Sequence, residues 1–154
     1  MKKMIILLLY IIFAVYLMFC TALMIARNKD KRIRRMYDNI NIMRCLLELR
    51  NNNVTVAEKL GLSKEKKIAI YGNGIIGKQI TKQLMLEGIQ IVYAVDQLSN
   101  VLHYDGIPVY RPDLKLPQVD VMIVTPIDAY SGIKEKLESR MTCRVVSVGD
   151  LLRG

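Results

Sequence analysis

Residues that bind metals or form disulfide bonds are scarce in this sequence. It contains one histidine, His103, and three cysteines that lie far apart, Cys20, Cys45 and Cys143. A structural zinc site needs about four cysteine or histidine ligands at short spacings. No such group can be assembled from one histidine and three scattered cysteines, so we expect no metal site.

Aromatic residues are also scarce, and the C-terminal part of the chain carries little net charge. Aromatic residues make up 6% of the chain. The formal charge of +9 divides unevenly: residues 1–35 carry eight Lys/Arg and one acid, or +7, whereas residues 36–154 carry fifteen Lys/Arg and thirteen acids, or +2. The basic excess therefore lies near the N-terminus, where it can attract anionic lipid headgroups. Nucleic acid is not an expected partner.

An uncharged, strongly apolar run covers residues 4–26. About 20 apolar residues cross the hydrocarbon core of a bilayer as a helix. A signal peptide would have an apolar region of only about 7–15 residues before a small-x-small cleavage site. A lipoprotein would use Cys20, but the bulky Phe19 precedes it. We therefore predict an uncleaved transmembrane helix over residues 4–26, after a short extracytoplasmic end at residues 1–3.

The basic residues on either side of this run predict its orientation. Two lysines, Lys2 and Lys3, precede it. Six basic residues follow it within nine positions: Arg27, Lys29, Lys31, Arg32, Arg34 and Arg35. Since basic residues stay on the cytoplasmic side, we predict a single-pass protein of the cell membrane with its N-terminus outside and its C-terminal domain in the cytoplasm. In that reducing compartment the cysteines should be free thiols.

Residues 27–62 are predicted to be a basic juxtamembrane segment and a helical linker. From Ile33 to Asn51, apolar residues recur at spacings of three and four, which is typical of a helix. These residues are Ile33, Met36, Tyr37, Ile40, Met43 and Leu47. This helix can pack on the domain, lie along the membrane surface or pair with a second copy in a homodimer, and we expect it to pack on the domain. Thr55-Val56-Ala57-Glu58 then fits a capping box that opens one short helix.

A glycine loop between a predicted strand and a predicted helix is the strongest functional signal. The loop, Gly72–Gly77, follows the apolar strand 67–71 and precedes a helical stretch over 78–85. A second apolar strand, 89–95, ends at Asp96, 19 residues after the last glycine. This is the dinucleotide-binding fingerprint in its required context. Its glycines allow a tight turn, a close pyrophosphate and close helix packing, and an acid at position 96 suits ribose hydroxyls and favours NAD over NADP.

Strands and helices alternate through residues 63–154. Further strands are predicted at 107–110, 119–124 and 144–148, with a helix over 127–140. The pattern predicts an α/β domain with a Rossmann-like, doubly wound parallel sheet of about five strands. Tyr104-Asp105-Gly106 predicts a turn, and Pro108 predicts that its strand lies at a sheet edge or begins there.

The loops at the carboxyl ends of such strands form the ligand site. Loops 96–100 and 125–128 should therefore meet the glycine loop. Thr125 could donate its hydroxyl to a phosphate or ribose, or Thr125-Pro126 could simply end a strand. The candidate cofactor-binding residues are Gly72, Asn73, Gly74, Ile75, Ile76, Gly77, Asp96, Thr125 and Pro126.

Catalytic residues are not evident. Tyr130 and Lys134 match the Tyr-x-x-x-Lys pair of short-chain dehydrogenases, but no serine is placed to assist them and the chain is short. We interpret the pair as a chance match on a helix surface. No other acid–base or nucleophile–base pair is present, and we assign no catalytic residue.

The motifs together resemble small Rossmann-like domains of bacterial surface-polysaccharide biosynthesis. The resemblance is carried by Ile68–Gly77, Asp96, Tyr104–Val109 and Val121–Pro126. The chain is similar to the CoA-binding-like domain of polysaccharide-type nucleotide-sugar epimerase/dehydratases and to the nucleotide-sugar-binding domain of sugar O- and N-acyltransferases. This resemblance implies a pocket for NAD or a nucleotide sugar at the glycine loop. It also implies glycan-assembly membrane proteins as partners. The chain ends where the catalytic part of either relative would start.

Three functions follow from these observations. The favoured one is a membrane-anchored, cytoplasmic module that binds a nucleotide or nucleotide sugar as an accessory to polysaccharide biosynthesis. The second is an NAD-dependent oxidoreductase or epimerase that a partner chain completes. The third is an interaction scaffold that binds no nucleotide.

Overall fold

The computed structural model describes residues 2–97 and 103–153. Helix α1 runs over Lys2–Asn51. Among the helices described, α1 is the one with the length and apolar composition to cross a membrane. The transmembrane and linker helices that the sequence predicts as separate elements are thus one helix. Residues 27–50 contain neither glycine nor proline, the residues that would break a helix between them.

The chain divides into two compact units, Met1–Tyr37 and Asp38–Gly154. The second unit is larger than the domain predicted at residues 63–154, because the end of α1 forms part of its core. Ile42 on α1 is fully buried. Cys45, Leu46 and Leu49 pack against the same core cluster.

The apolar stripe predicted on the linker helix is not the face that packs on the domain. Within the second unit, Ile40, Met43 and Leu47 are exposed by 57, 37 and 62%. The remaining stripe residues, Ile33, Met36 and Tyr37, are exposed as well. The helix packs on the domain, as expected, but it does so through the opposite face, which carries Ile42, Cys45, Leu46 and Leu49. This stretch of α1 carries two apolar faces, and the periodicity of the sequence alone could not distinguish them.

Short strands and helices make up the rest of the second unit, which confirms the mixed α/β class. They are α2 Val56–Lys59, β1 Ile68–Tyr71, α3 Ile75–Leu86, β2 Ile91–Val95, β3 His103–Tyr104, β4 Ile107–Tyr110, β5 Val121–Val124, α4 Tyr130–Glu138 and β6 Arg144–Ser147. Turns of 3-10 helix follow at Ile127–Ala129 and Val148–Leu152.

The strands form one sheet in the order β3-β4-β2-β1-β5-β6. All neighbouring strands are parallel except β3 and β4, which form an antiparallel hairpin. Its two-residue loop is Asp105-Gly106, with φ values of 48° and 78°, which confirms the predicted turn.

Two details of the predicted sheet change. The described strands number six rather than about five, because the two-residue β3 was not predicted. Strand β4 is not an edge strand, since β3 lies beside it. Pro108 is nevertheless tolerated because the register of β4 with β2 pairs only Val109 and Tyr110.

The sheet is covered on both faces because strand side chains alternate in direction. On one face, Ile68 and Ile70 of β1 share a core cluster with Ile80 of α3. On the other face, Ala69 and Tyr71 pack in a cluster with Leu137 of α4. The glycine loop follows β1 and leads into α3, so it lies at the carboxyl ends of the parallel strands.

Candidate functional site

Gly72 occupies a position that only glycine fits. Its φ is +98°, and its N–H donates a 2.7 Å hydrogen bond to the carbonyl of Val95. A Cβ here would collide with Thr125 Oγ1 and lie 3.0 Å from Pro126 Cδ. The residue thus makes the tight turn off β1 and allows the loop after β5 to approach it.

Gly77 is also required by packing inside the loop. A Cβ at this position would collide with the carbonyl oxygen of Gly72. The first turn of α3 therefore lies directly against Gly72, the residue that follows β1, which matches the close helix packing predicted for the last glycine.

Gly74 differs from both other glycines of the loop. Its φ of −73° is accessible to any residue, and it is the N-cap of α3. Nothing lies within 4 Å of the position that its Cβ would occupy. The fold itself therefore gives no reason for glycine at this position.

Asp96 lies beside the glycine loop, as its place in the sequence predicts. Its Oδ2 accepts a 2.7 Å hydrogen bond from the backbone N–H of Asn73. Its own N–H donates to the carbonyl of Tyr110 at 3.0 Å. The half-buried acid thus connects the loop after β1 with the ends of β2 and β4. Residues 98–100 of the predicted loop 96–100 lie outside the described residues.

Thr125 contacts the loop with its side chain. Its Oγ1 donates toward the carbonyls of Tyr71 at 3.2 Å and Gly72 at 3.1 Å. Because a hydroxyl has one hydrogen, donation to a phosphate or ribose would replace these bonds. The geometry fits the alternative in which Thr125-Pro126 ends β5, and Pro126 is the N-cap of the 3-10 turn that follows.

The site therefore combines a backbone loop, one acid and a helix N-terminus. The first N–H groups of α3 have no partner within the helix and carry the positive end of its dipole, an arrangement that binds anions. Ile75 is 73% exposed, whereas Ile76 is buried in the core and can offer a ligand only its backbone.

One cation near the loop was missed by the sequence analysis. Lys78 lies in the first turn of α3, and its ammonium lies 4.8 Å from the ring centroid of Tyr104. Burial and, after it, the nearby Asp105 raise the pKa of the Tyr104 hydroxyl. A lysine directly after the last glycine was the available signal. Its contact with Tyr104 depends on the hairpin and could not be predicted.

Tyr130 and Lys134 each contact another part of the protein. The Tyr130 hydroxyl donates to the carbonyl of Val145 at 3.2 Å. The Lys134 ammonium lies 3.7 Å from Glu138 Oε1. Each group is thus engaged in local structure. Within residues 2–97 and 103–153, no group of three or more His, Cys, Asp or Glu side chains could hold a metal.

A separate pocket of about 110 Å³ lies on the α4 side of the sheet. Its lining includes Tyr71, Leu137 and the cations Lys136 and Arg140. The Arg140 guanidinium donates to the carbonyls of Pro112 and Leu114 at 2.6 and 2.9 Å, so it fastens the loop between β4 and β5. Small-molecule sites usually enclose about 300–1,000 Å³, and this pocket is too small for a nucleotide.

Comparison with known proteins relates part of the chain to a protein family. Residues 64–144 match a family model described as C2185-like, N-terminal. The matched stretch is more than half of the 154-residue chain. No curated protein and no solved structure matches.

Proposed function

We propose that this chain, which belongs to the C2185-like N-terminal family, binds a nucleotide or nucleotide sugar at the glycine loop. The observation that carries the proposal is the open space at Gly74. Gly72 and Gly77 are explained by contacts within the protein, but Gly74 is not. A diphosphate that approaches the N-terminus of α3 requires the space a side chain at this position would fill.

The order of the strands supports a Rossmann-like, doubly wound arrangement of the site. From β1 the chain continues to β2 on one side, whereas β5 lies against β1 on the other side. In open α/β sheets, ligands bind outside the carboxyl ends of the strands where the order reverses in this way. The glycine loop and Thr125 follow the two strands, β1 and β5, that flank this reversal.

Asp96 supports a ligand with free ribose hydroxyls. A carboxylate at the end of β2 accepts hydrogen bonds from the ribose of NAD and repels the 2′-phosphate of NADP. The ribose of a nucleotide sugar offers the same hydroxyls. We therefore propose NAD or a nucleotide sugar as the ligand class.

The cellular setting of the proposal depends on α1 and on the resemblance described above. We propose that α1 anchors the protein in the cell membrane as a single span, with the N-terminus outside and the domain in the cytoplasm, since the basic residues 27–35 follow the span. The resemblance to polysaccharide-biosynthesis domains suggests a ligand-dependent accessory of glycan-assembly membrane proteins. Ligand binding coupled to partner contacts, rather than turnover, is the proposed mechanism.

Thermal unfolding with and without ligand tests nucleotide binding, and it compares substitutions at Gly74 and Gly132, two glycines with free space around the position of a Cβ. The full chain in detergent is heated with NAD, NADP, CoA, UDP and UDP-sugars, each at about 100 times its dissociation constant or at millimolar level. A ligand at about 100 times its dissociation constant adds about 2.7 kcal/mol to the free energy of unfolding. This raises the midpoint of thermal unfolding by several degrees. Gly74→Asp should remove this shift, because its carboxylate fills the phosphate space. The variant should still fold, since Asp is a favourable N-cap.

Gly132→Asp is the matched control. A Cβ at Gly132 would also meet nothing within 4 Å, but the residue lies in the first turn of α4, outside the glycine loop and α3. This variant should keep the ligand shift. If no nucleotide stabilises the wild-type chain, or if Gly74→Asp keeps the full shift, the proposal is wrong and the scaffold interpretation remains.

A further inference from the structure

The pocket on the α4 side of the sheet has an apolar interior and is called the α4 pocket below. Its lining comes from β1, from the loop between β4 and β5, and from α4 with the residues that follow it. Tyr71, Leu137 and Met141 line it and are exposed by only 8, 4 and 8%. The partly buried Leu116 and Ile133 add to the apolar lining. Such walls favour a ligand that contains hydrocarbon.

Three cations line the same pocket. They are Lys115 on the loop and Lys136 and Arg140 on the α4 side, and none of the described lining residues is acidic. Within the described residues, neither lysine forms an ion pair. The acid nearest to Lys115 in the sequence, Asp113, is paired with Arg111 at 3.2 Å. The uncompensated positive charge favours a ligand with a negative charge.

Two lining residues also have hydrogen-bond donors that the fold does not use. The hydrogen bonds of Tyr71 in the described part of the chain are those of its backbone, so its hydroxyl has no partner there. Arg140 uses two of the five guanidinium N–H groups for the carbonyls of Pro112 and Leu114. A carboxylate accepts from both kinds of donor. It is smaller than a phosphate and leaves room for hydrocarbon.

The volume of the α4 pocket limits the length of the ligand. An apolar cavity of about 150 Å³ holds one benzene molecule, which is about 25 Å³ for each carbon. On the same scale, the pocket of about 110 Å³ encloses about four to five heavy atoms. A long acyl chain does not fit this volume.

We propose that the α4 pocket binds a short aliphatic carboxylate with a chain of about four carbons. The carboxylate accepts a hydrogen bond from the Tyr71 hydroxyl and pairs with the lysines, and the chain packs on Leu137 and Met141. No described lining residue belongs to the glycine loop. The proposal and its test are therefore independent of nucleotide binding.

Methyl NMR of the full chain in detergent tests the α4 pocket, with ¹³C-methyl methionine as the label. Met141 lines the pocket, whereas Met122 is fully buried in the same core cluster and is not a lining residue. The variants Met141→Leu and Met122→Leu identify the two signals. Butyrate at millimolar level and constant ionic strength should move the Met141 signal to saturation and leave Met122 in place. From acetate to butyrate, the affinity should rise about fourfold for each methylene.

Matched variants test the cations and the hydroxyl. Lys136→Gln and Lys134→Gln each remove one charge from α4, but Lys134 lies beside Glu138 and is not a lining residue. Lys136→Gln should weaken butyrate about two- to fivefold, and Lys134→Gln should leave the affinity unchanged. Tyr71→Phe should weaken butyrate at least about tenfold, because a hydrogen bond to a charged group is lost. It should keep the midpoint of thermal unfolding, since the hydroxyl has no partner within the described residues.

Butanol supplies the uncharged control, and it should bind more weakly than butyrate. A Met141 signal that responds to none of the acids, or equal binding of butanol and butyrate, would overturn the proposal. Equal weakening by Lys136→Gln and Lys134→Gln would also overturn it, because the acid would then respond to the net charge of the domain and not to this pocket.

Discussion

The carboxylate of Asp96 accepts a 2.7 Å hydrogen bond from the backbone N–H of Asn73. The acid at the end of β2 therefore holds the glycine loop in addition to any contact with a ribose. A simple alanine substitution would change both roles together, because it removes the loop contact and the charge. The two roles can be separated only with a side chain that keeps the acceptor and loses the charge.

Asp96→Asn should retain most of the stability and lose most of the ligand selectivity. Its amide oxygen can still accept from Asn73, whereas Asp96→Ala leaves that N–H without its acceptor. We expect Asp96→Ala to lower the free energy of unfolding by about 1–3 kcal/mol, and Asp96→Asn by less. Urea unfolding of the two variants gives these values.

Binding measurements complete the comparison. If NAD is the ligand, Asp96→Asn should weaken the affinity for NAD by about tenfold, as expected for loss of about 1.4 kcal/mol of binding free energy. The ratio of the affinity for NAD to that for NADP should also fall, because the charge that repels the 2′-phosphate is gone. Calorimetric titration of both nucleotides measures the two constants. An Asp96→Asn protein that binds NAD as tightly as the wild type would show that the acid serves the loop alone.

The glycine loop was predictable because its requirements are local. Gly72 needs a positive φ, and Gly77 must pack against the residue five positions before it. Short apolar runs likewise identify β1 and β5. Such short-range constraints leave a direct mark in the sequence.

Long-range contacts left no comparable mark. The Thr125 hydroxyl reaches carbonyls more than fifty residues away, and nothing in its own segment indicates this. Strand β3 has two residues, too few to show an alternating pattern. For α1, both faces of the helix end are apolar, so the choice of Ile42 rather than Ile40 for the core depends on the shape of the domain.

The boundary of the folded unit makes a prediction about truncation. A fragment of residues 63–154 would lack Ile42, Val56 and Leu60, which are 0, 2 and 3% exposed. Each buried aliphatic side chain contributes about 1.5–3 kcal/mol. Their combined loss is comparable to the whole stability of a typical domain, about 5–15 kcal/mol. We expect fragment 38–154 to unfold cooperatively on heating and fragment 63–154 to show no cooperative transition.

Ile42→Ala in the full chain checks the same point without truncation. Removing a buried isoleucine side chain should cost about 2–5 kcal/mol. Ile40→Ala is the matched control on the opposite face of the helix. Ile40→Ala should lower the free energy of unfolding by less than about 0.5 kcal/mol. The measurement is made in detergent at a concentration where the chain is monomeric. Equal effects at the two positions, or a cooperative 63–154 fragment, would contradict the assignment of the end of α1 to the core.

The buried tyrosine on β2 predicts a loss of stability in alkali. Tyr93 is fully buried, and its hydroxyl donates a 2.7 Å hydrogen bond to the carbonyl of Pro117. Burial raises the pKa of this hydroxyl to about 12, against about 10 in an unfolded chain. As the pH rises, the Tyr93 hydroxyl therefore loses its proton in the unfolded chain before it does so in the folded chain. The stabilisation is complete below about pH 10 and is lost as the pH rises towards about 12.

Tyr93→Phe isolates this contribution. At neutral pH the variant should be about 1 kcal/mol less stable, because the hydrogen bond to Pro117 is gone. Between about pH 10 and 12 the wild-type chain should lose stability faster than the variant, since only the wild type has this hydroxyl to ionise. Urea unfolding at steps from about pH 8 to about pH 12 follows the difference between the two proteins. A difference that stays constant over that range would mean that Tyr93 ionises equally easily in the folded and unfolded chain, and that its burial does not protect the proton.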